Sequence, residues 1–469
     1  MMRSIYIVGI EGAGTSALAT LYHKIGYDVS GSDTGDRFYA SVLEKEGIAV
    51  ETTFSADHVP VDVDLVVYST AFPSNVEVSR ARELGLRVLS YPEAVGELTK
   101  ETMSLLVTGT HGKTTTSAML AEALRSAGKD PSAIIGSRVR AWSGNALAGS
   151  GNMFVLEADE YQDKLSHYSP FSAILTSVDW DHPDFFPDVE TYQETFRRFV
   201  KRIPMHGALV YSADSASVLS VATEAKCHKI SYGFDGAADV RIVSRETVGA
   251  VETGPEGIRQ RFGIETEDGS LGIFSLRLPG KHNAQNATAV IALAAFLRVD
   301  MEAVRESLST FVGTSRRSEY IGIYKGIPVY DDYAHHPEEL RATISAFRDA
   351  YPDKRIVAVF HPHTFTRTAA LLSEFSQSFD DADRVIVLDI YGSARETAGG
   401  VSSADLVRGI NRYVRDKAEY VPTIPEVISV LRASLEEGDL LVTFGAGDVW
   451  KVAEGVVRDG DGSNVERTS

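Results

Sequence analysis

The sequence predicts an α/β architecture of about three domains, and two observations carry that expectation. Apolar runs of strand length alternate with helix-length segments in three successive series, the rhythm of largely parallel sheets covered by helices. Length is the second: 469 residues exceed one ordinary core, and roughly 150 residues per domain divides the chain into about three.

The first series runs SIYIVGI, TSALATLYHKIG, YDVSGSD, VDLVVYSTA and RVLSYPEA. The second opens at MSLLVTGT and continues through MFVLEADE, SAILTSVDWDH and GALVYSAD, short apolar runs that end on polar residues. Residues at strand C-terminal ends line the ligand crevice of such sheets. From about Ala237 to Leu278 the pattern turns strand-like and polar, which reads as a hairpin insertion, before NAQNATAVIALAAFL resumes as helix. A third series holds IPVYDDYAHHP, RIVAVFHPHTFTRT, RVIVLDIYGSA and LLVTFGAGD. The expected domains are residues 1–100, 101–312 and 313–458, with boundaries near Glu101 and Gly313. Residues 459–469 are too poor in apolar residues to pack and read as a disordered tail.

Between Leu106 and Leu120 the chain reads LVTGTHGKTTTSAML, an apolar strand entering a glycine turn and then a helix. Only two residues separate Gly109 from Gly112, where the standard phosphate-binding pattern has four. The physics is nevertheless that of a phosphate loop. The two glycines let backbone N–H groups turn inward, and the helix start near Lys113 adds its positive end. The Lys113 ammonium suits β- and γ-phosphates, and Thr114 is placed for Mg²⁺. An earlier turn, Gly9-x-x-Gly12-x-Gly14, departs from the G-x-G-x-x-G dinucleotide pattern, which counts against a dehydrogenase. Backbone groups of Gly12, Ala13, Gly14 and Thr15 face a diphosphate at that helix start, and Asp33, ending the next strand, suits a ribose or base contact.

Composition narrows the partners. Lys plus Arg number 46 against 65 for Asp plus Glu, a net charge of −19 that repels a nucleic-acid backbone. No continuous apolar segment suggests a membrane partner or a secretory signal, so the expected location is the cytoplasm. The single cysteine, Cys227, forms no internal disulfide. The chain is expected to act on small molecules as a monomer or homodimer.

The order GT-x-GKTTT, EADE, DWDH and PGKHNAQNA resembles the Mur ligase superfamily; GIEGAG, GSD, DDYAHHPEE, PHTFTRT and FGAGD extend the likeness over nearly the whole chain. The resemblance implies an N-terminal Rossmann-like UDP-binding domain, a central P-loop ATPase domain with a mixed sheet, and a C-terminal Rossmann-like domain that takes the amino acid. It is strongest toward the branch that joins L-alanine to UDP-N-acetylmuramate at the expense of ATP, with Mg²⁺. The implied product is a peptidoglycan precursor. A recycling branch that adds murein tripeptide to the same sugar nucleotide is the nearest alternative. A non-ligase P-loop ATPase and a sugar-nucleotide sensor are the more distant ones.

Carried over residue by residue, the resemblance makes Thr114, Glu157 and His182 the Mg²⁺ ligands. Gly109, Thr110, His111, Gly112, Lys113, Thr114 and Thr115 form the ATP loop. Asn283 and Asn286, one helical turn apart, join the ATP site with Arg317 and Asp332, and His282 is a weaker candidate. Lys113, Glu157, His182, Arg317 and Asp332 become the catalytic set. Gly12 to Thr15, Asp33, Ser69 and Thr70 are implied for the UDP substrate, and His335, His336 and Arg367 for the amino acid. Two positions depart from the family pattern: Ser318 replaces an aromatic after Arg317, and Thr364 stands where a first arginine usually precedes Arg367. Either histidine suits a general base at neutral pH, and the residues do not choose between them.

Overall fold

The computed structural model describes residues 3–34, 38–142, 144–248, 258–392 and 399–458. The tail expected from residue 459 onward lies outside them. The chain divides into two compact units: residues 1–178, 193–232 and 289–307 make the first, and residues 179–192, 233–288 and 308–469 the second.

In the first unit, strands β1 (Ser4–Val8), β2 (Asp28–Ser32), β3 (Ala49–Glu51), β4 (Leu65–Tyr68) and β5 (Val88–Ser90) form a parallel sheet in the order β3-β2-β1-β4-β5. Successive connections leave β1 in opposite directions, so the crevice opens where β1 and β4 end, at the first glycine turn and Ser69. Gly9 has φ +76, and a Cβ there would lie 2.6 Å from the Phe72 ring, so the turn demands glycine. The next helix, Ala13–Lys24, starts after an extended Gly12 with no side-chain cap. By contrast, Ser90 and Glu93 close a reciprocal capping box on helix Tyr91–Glu101, with proline in its first turn.

Strands β6 (Met103–Thr108), β7 (Ser132–Val139), β8 (Gly144–Leu147), β9 (Met153–Glu157), β10 (Ser172–Leu175), β11 (Ala208–Ser212) and β12 (His228–Gly233) follow, in the order β12-β11-β10-β6-β9-β7-β8. The pairs are parallel except β7–β8, which makes the sheet mixed. Leu105, Leu106 and Val107 of β6 are fully buried, as a continuous apolar run must be when helices cover both faces. That central strand delivers the phosphate loop.

The second unit begins with β13 (Val240–Val248), β14 (Arg259–Thr266) and β15 (Gly269–Leu276), which pair antiparallel. The expected hairpin is thus a three-stranded meander, with Glu267-Asp268 before Gly269 making the tight turn between β14 and β15. Strands β16 (Glu319–Tyr324), β17 (Ile327–Asp332), β18 (Arg355–Phe360), β19 (Arg384–Val387), β20 (Ala418–Tyr420) and β21 (Asp439–Phe444) form a sheet in the order β16-β17-β21-β18-β19-β20. Only β16 runs antiparallel to its neighbour. On β18, Ile356, Ala358 and Phe360 enter one apolar cluster and Val357 and Val359 the other, the period-two alternation of a strand buried on both faces.

Candidate active site

Two left-handed glycines and the chain after β10 shape the Gly109–Lys113 loop. Gly109 and Gly112 have φ +133 and +77, and a Cβ on Gly109 would lie 2.3 Å from Thr176 Oγ1. The end of β10 staples the loop: Thr110 N donates to Ser177 O at 3.0 Å, His111 N to Ser177 Oγ at 2.9 Å, and Thr176 Oγ1 to His111 O at 2.6 Å. Lys113 folds back over the loop, donating from Nζ to the carbonyls of Gly109 and Thr110 and to Glu160 Oε2 at 2.8 Å. Burial alone lowers the pKa of this ammonium, but Glu160, Asp159 and Glu157 more than offset it and hold the group above its ordinary value. These three carboxylates thus favour the charged form of Lys113.

Beside it, Thr114 Oγ1 donates to Glu157 Oε1 at 2.7 Å, and the Gly136 amide donates to the other carboxylate oxygen. A Cβ on Gly136 would fall 2.6 Å from that oxygen, so only glycine admits the carboxylate there. Two adjacent hard oxygens, one anionic and held in place, are donors of the kind Mg²⁺ prefers.

At the first glycine turn the Asp33 carboxylate is fully buried. Its oxygens accept from Glu11 N at 3.0 Å and Thr34 N at 2.8 Å. Thr15 Oγ1 donates to Gly9 O at 2.6 Å, closing the turn from the helix side. Gly12, Ala13 and Gly14 at the helix start, and Ser69 and Thr70 after β4, are partly exposed at the strand ends.

In the second unit, neighbouring residues of the same type separate sharply. Arg316 is buried and spends its guanidinium on structure: Nε donates to Asp331 Oδ2 at 2.9 Å, Nη1 to Gly447 O at 2.8 Å and Nη2 to Gly445 O at 2.6 Å. Arg317 is a quarter exposed, pairs with Glu339 at 3.7 Å and lies over the Tyr333 ring. Asp332 Oδ2 accepts from Ser318 N at 2.6 Å, and Oδ1 from Ala334 N at 2.8 Å. Burial pushes the Asp332 carboxyl up to about 6, against the pull of Arg317 and these amides.

His336 caps helix Pro337–Ala350: its Nδ1 accepts from Glu338 N at 3.3 Å, while Nε2 faces Trp180 O at 3.3 Å. His335 differs, with Nδ1 against Tyr333 O at 3.0 Å, which places the proton there and the lone pair on Nε2. Burial lowers its pKa to about 3 despite nearby Glu339. Arg367 and Asp181 form a buried bidentate pair, Nε to Oδ1 at 2.8 Å and Nη2 to Oδ2 at 3.2 Å. Burial opposes ionisation of Asp181, yet Arg367, with His182 and His335, holds its carboxyl well below the usual range. His182 has φ +55, a sparsely populated conformation for a non-glycine residue, and its Nε2 lies 3.8 Å from Asp181 Oδ2. Asn283 Nδ2 donates to Pro279 O at 2.7 Å and Asn286 Nδ2 approaches Asn283 Oδ1 at 3.4 Å, so both amides are oriented at the start of helix Lys281–Phe296. Burial brings the adjacent His282 down to about 4.

Comparison with known proteins agrees with this chemistry. Residues 4–102 match the Mur ligase family catalytic domain, residues 107–294 the Mur ligase middle domain, and residues 316–447 the Mur ligase glutamate ligase domain. The chain is 42% identical over 466 residues to UDP-N-acetylmuramate--L-alanine ligase of Desulfitobacterium hafniense, covering 97% of this chain and 100% of that one. The chain belongs to the Mur ligase family. A Salinibacter ruber protein of the same name is 34% identical, covering 99% of this chain and 97% of its own. The crystal structure of UDP-N-acetylmuramate-alanine ligase from Thermotoga maritima superposes with a TM-score of 0.82 at 27% identity, over 98% of this chain and 99% of that one. A murein peptide ligase from Psychrobacter arcticus shares the fold, with a TM-score of 0.70 at 24% identity over 97% and 98% of the two chains.

Within this Mur ligase, Lys113, Thr114 and Glu157 meet in the first unit, whereas Arg317, Asp332, His335 and Arg367 belong to the second, with His182, Asn283 and Asn286. Several partners escape a reading of the sequence alone. Glu160, buried against Lys113, is the second Glu of EADE, and Asp181, which grips Arg367, is the second Asp of DWDH. Their proximity to residues already singled out was the available signal. Glu339, between Arg317 and His335, gave none, because it looks like an ordinary acid in the first turn of a helix.

Proposed function

We propose that this chain is an ATP-dependent ligase that joins L-alanine to the carboxylate of UDP-N-acetylmuramate, releasing ADP and phosphate, in peptidoglycan precursor synthesis. The near full-length similarity to UDP-N-acetylmuramate--L-alanine ligases carries the reading, and the charged phosphate loop supplies its chemistry. A carboxylate is a poor electrophile. Its oxygen attacks the γ-phosphorus, ADP departs, and the acyl phosphate then loses phosphate when the amine nitrogen attacks the acyl carbon.

Phosphoryl transfer depends on positioning and charge neutralisation. Lys113 sits where its ammonium neutralises β- and γ-phosphate oxygens as it exchanges Glu160 for them. Thr114 and Glu157, with His182, are the proposed holders of Mg²⁺, which would supply charge neutralisation to the transferring phosphoryl group. Asn283 and Asn286 orient the nucleotide, with Arg317 and Asp332 reaching it from the third domain. Gly12 to Thr15, Asp33, Ser69 and Thr70 form the proposed UDP site. Arg367 addresses the alanine carboxylate, and its bidentate hold on Asp181, with Nη1 donating to His363 O at 3.4 Å, fixes the plane of the guanidinium. His335 and His336 are proposed to line the amino-acid site, and His336 also caps its helix. The domains are proposed to run 1–100, 101–312 and 313–458. Among the described residues no helix is long and apolar enough to cross a membrane.

The test is phosphate release from ATP and Mg²⁺ with UDP-N-acetylmuramate and, in turn, L-alanine, glycine, L-serine and murein tripeptide, with products identified by mass. Release that depends on L-alanine, with a gain of one alanyl residue, is the expected result. Release with tripeptide alone makes the chain a recycling ligase, and silence with every amine removes the ligase reading.

A further inference from the structure

Glu77 is fully buried, yet it occupies the first turn of helix Val76–Glu83, where an acid ordinarily reaches solvent. Its carboxylate is instead the hub of the N-terminal sheet. Oε1 accepts from Ser55 N at 3.0 Å and Tyr6 OH at 3.4 Å and lies 3.3 Å from His58 Nδ1, while Oε2 accepts from Ser32 Oγ. An apolar side chain would fill this space without the cost of burying charge, so the carboxylate gains geometry rather than stability.

Ser32 ends β2, and the first glycine turn hangs from it. Its carbonyl accepts from Gly9 N at 2.8 Å and Ile10 N at 3.1 Å, and the next residue, Asp33, accepts from Glu11 N at 3.0 Å. Three consecutive amides are thereby fixed by two adjacent residues, and the chain enters helix Ala13–Lys24 with no side-chain cap at Gly12. Amides left at such a helix start suit a diphosphate.

We propose that Glu77 is a positioning residue for the sugar-nucleotide substrate, holding Ser32 so that the Ser32-Asp33 pair presents the Gly9–Gly14 turn to the diphosphate. The assignment rests on the proposed function of this unit as the UDP site. Calorimetric binding of UDP-N-acetylmuramate and the KM for each substrate test it in Glu77→Gln, Ser32→Ala and Tyr6→Phe. The first two are expected to weaken sugar-nucleotide binding about tenfold, the effect of one lost charge-assisted hydrogen bond, with the KM for ATP and the kcat at saturation unchanged. Tyr6→Phe removes only a neutral 3.4 Å contact to Oε1 and leaves Glu77 holding the Ser32 hydroxyl through Oε2, and should bind as the wild type does. Ser32→Ala, the milder change, decides the matter should Glu77→Gln not fold. Wild-type affinity in the folded variants, or equal weakening by Tyr6→Phe, overturns the inference alone. Absence of binding by the wild-type protein overturns the functional reading and this inference together.

Discussion

Replacing the two adjacent arginines one at a time should separate stability from catalysis. Arg316 donates to the fully buried Asp331 carboxylate and to the carbonyls of Gly445 and Gly447. In Arg316→Ala that carboxylate keeps the Thr443 hydroxyl at 2.6 Å but loses its counter-charge, and two carbonyls lose their donors. Breaking a buried ion pair from one side costs about 3–5 kcal/mol, a large part of a total stability of about 5–15 kcal/mol. Arg317 is a quarter exposed and meets Glu339 only at 3.7 Å, so solvent screening limits the stability lost in Arg317→Ala to about 1 kcal/mol or less. Its proposed place beside the nucleotide instead predicts a fall in kcat of about a hundredfold to a thousandfold. Urea unfolding followed by circular dichroism reports the first quantity, and coupled ADP release the second. The reasoning fails if Arg316→Ala unfolds at the wild-type midpoint, or if Arg317→Ala keeps wild-type turnover.

Lys113→Ala should abolish ADP formation and also lower the unfolding midpoint, because Glu160 would remain buried without its cation; an active variant would refute the phosphate-loop assignment. Thr364 caps helix Phe365–Ala370 from φ +68, so Thr364→Ala should cost about 1 kcal/mol and Thr364→Gly less, as measured by denaturant midpoints; equal losses would exclude the backbone argument. For Asp332 the folded carboxyl is raised from 3.8 to about 6, so its contribution to stability is fully present below pH 3.8 and is lost as the pH rises through about 6. Asp332→Asn should therefore gain on the wild type between about pH 4 and pH 6 and keep a constant difference above that, and urea midpoints that move in parallel across the window would contradict it.

Much of the scaffold was legible because it depends on local physics. A strand followed by glycine, lysine and threonine entering an apolar helix has few conformations open to it, and Gly109 and Gly112 adopt the positive φ angles that such a turn requires. The meander was read as a hairpin because the turn between β14 and β15, at Glu267-Asp268, lies in a polar run without a strong apolar alternation around it. Side-chain partners were a different matter. Glu77 looks like a helix-start acid in SNVEVSRAREL, and its partners Tyr6 and Ser32 lie 71 and 45 positions away. Asp181 and Arg367 are 186 positions apart. Nothing local encodes such pairings, since they follow from the order in which the strands assemble.

The doublets Arg316-Arg317, Asp331-Asp332 and His335-His336 show why motif reading stopped where it did. Asp331 and Asp332 end a strand, where consecutive side chains point to opposite faces, so these two identical neighbours cannot do the same work. At the end of β17, Asp331 turns to Arg316 and Thr443, while Asp332 takes the Ser318 and Ala334 amides. Just beyond, His336 is consumed by a helix cap and a backbone carbonyl, and His335 retains a lone pair on Nε2. In each doublet one member ties down the loop from which the other projects. Arg316 anchors the glycine loop at 445–447 and so fixes the backbone that carries Arg317, while His336 starts the helix that brings Glu339 to both Arg317 and His335. Exchanging the roles within a doublet would leave a charge buried without a partner and the site without its group. Single substitutions at the structural members should accordingly impair the chemistry only as far as they loosen the fold, and those at the projecting members should do the reverse.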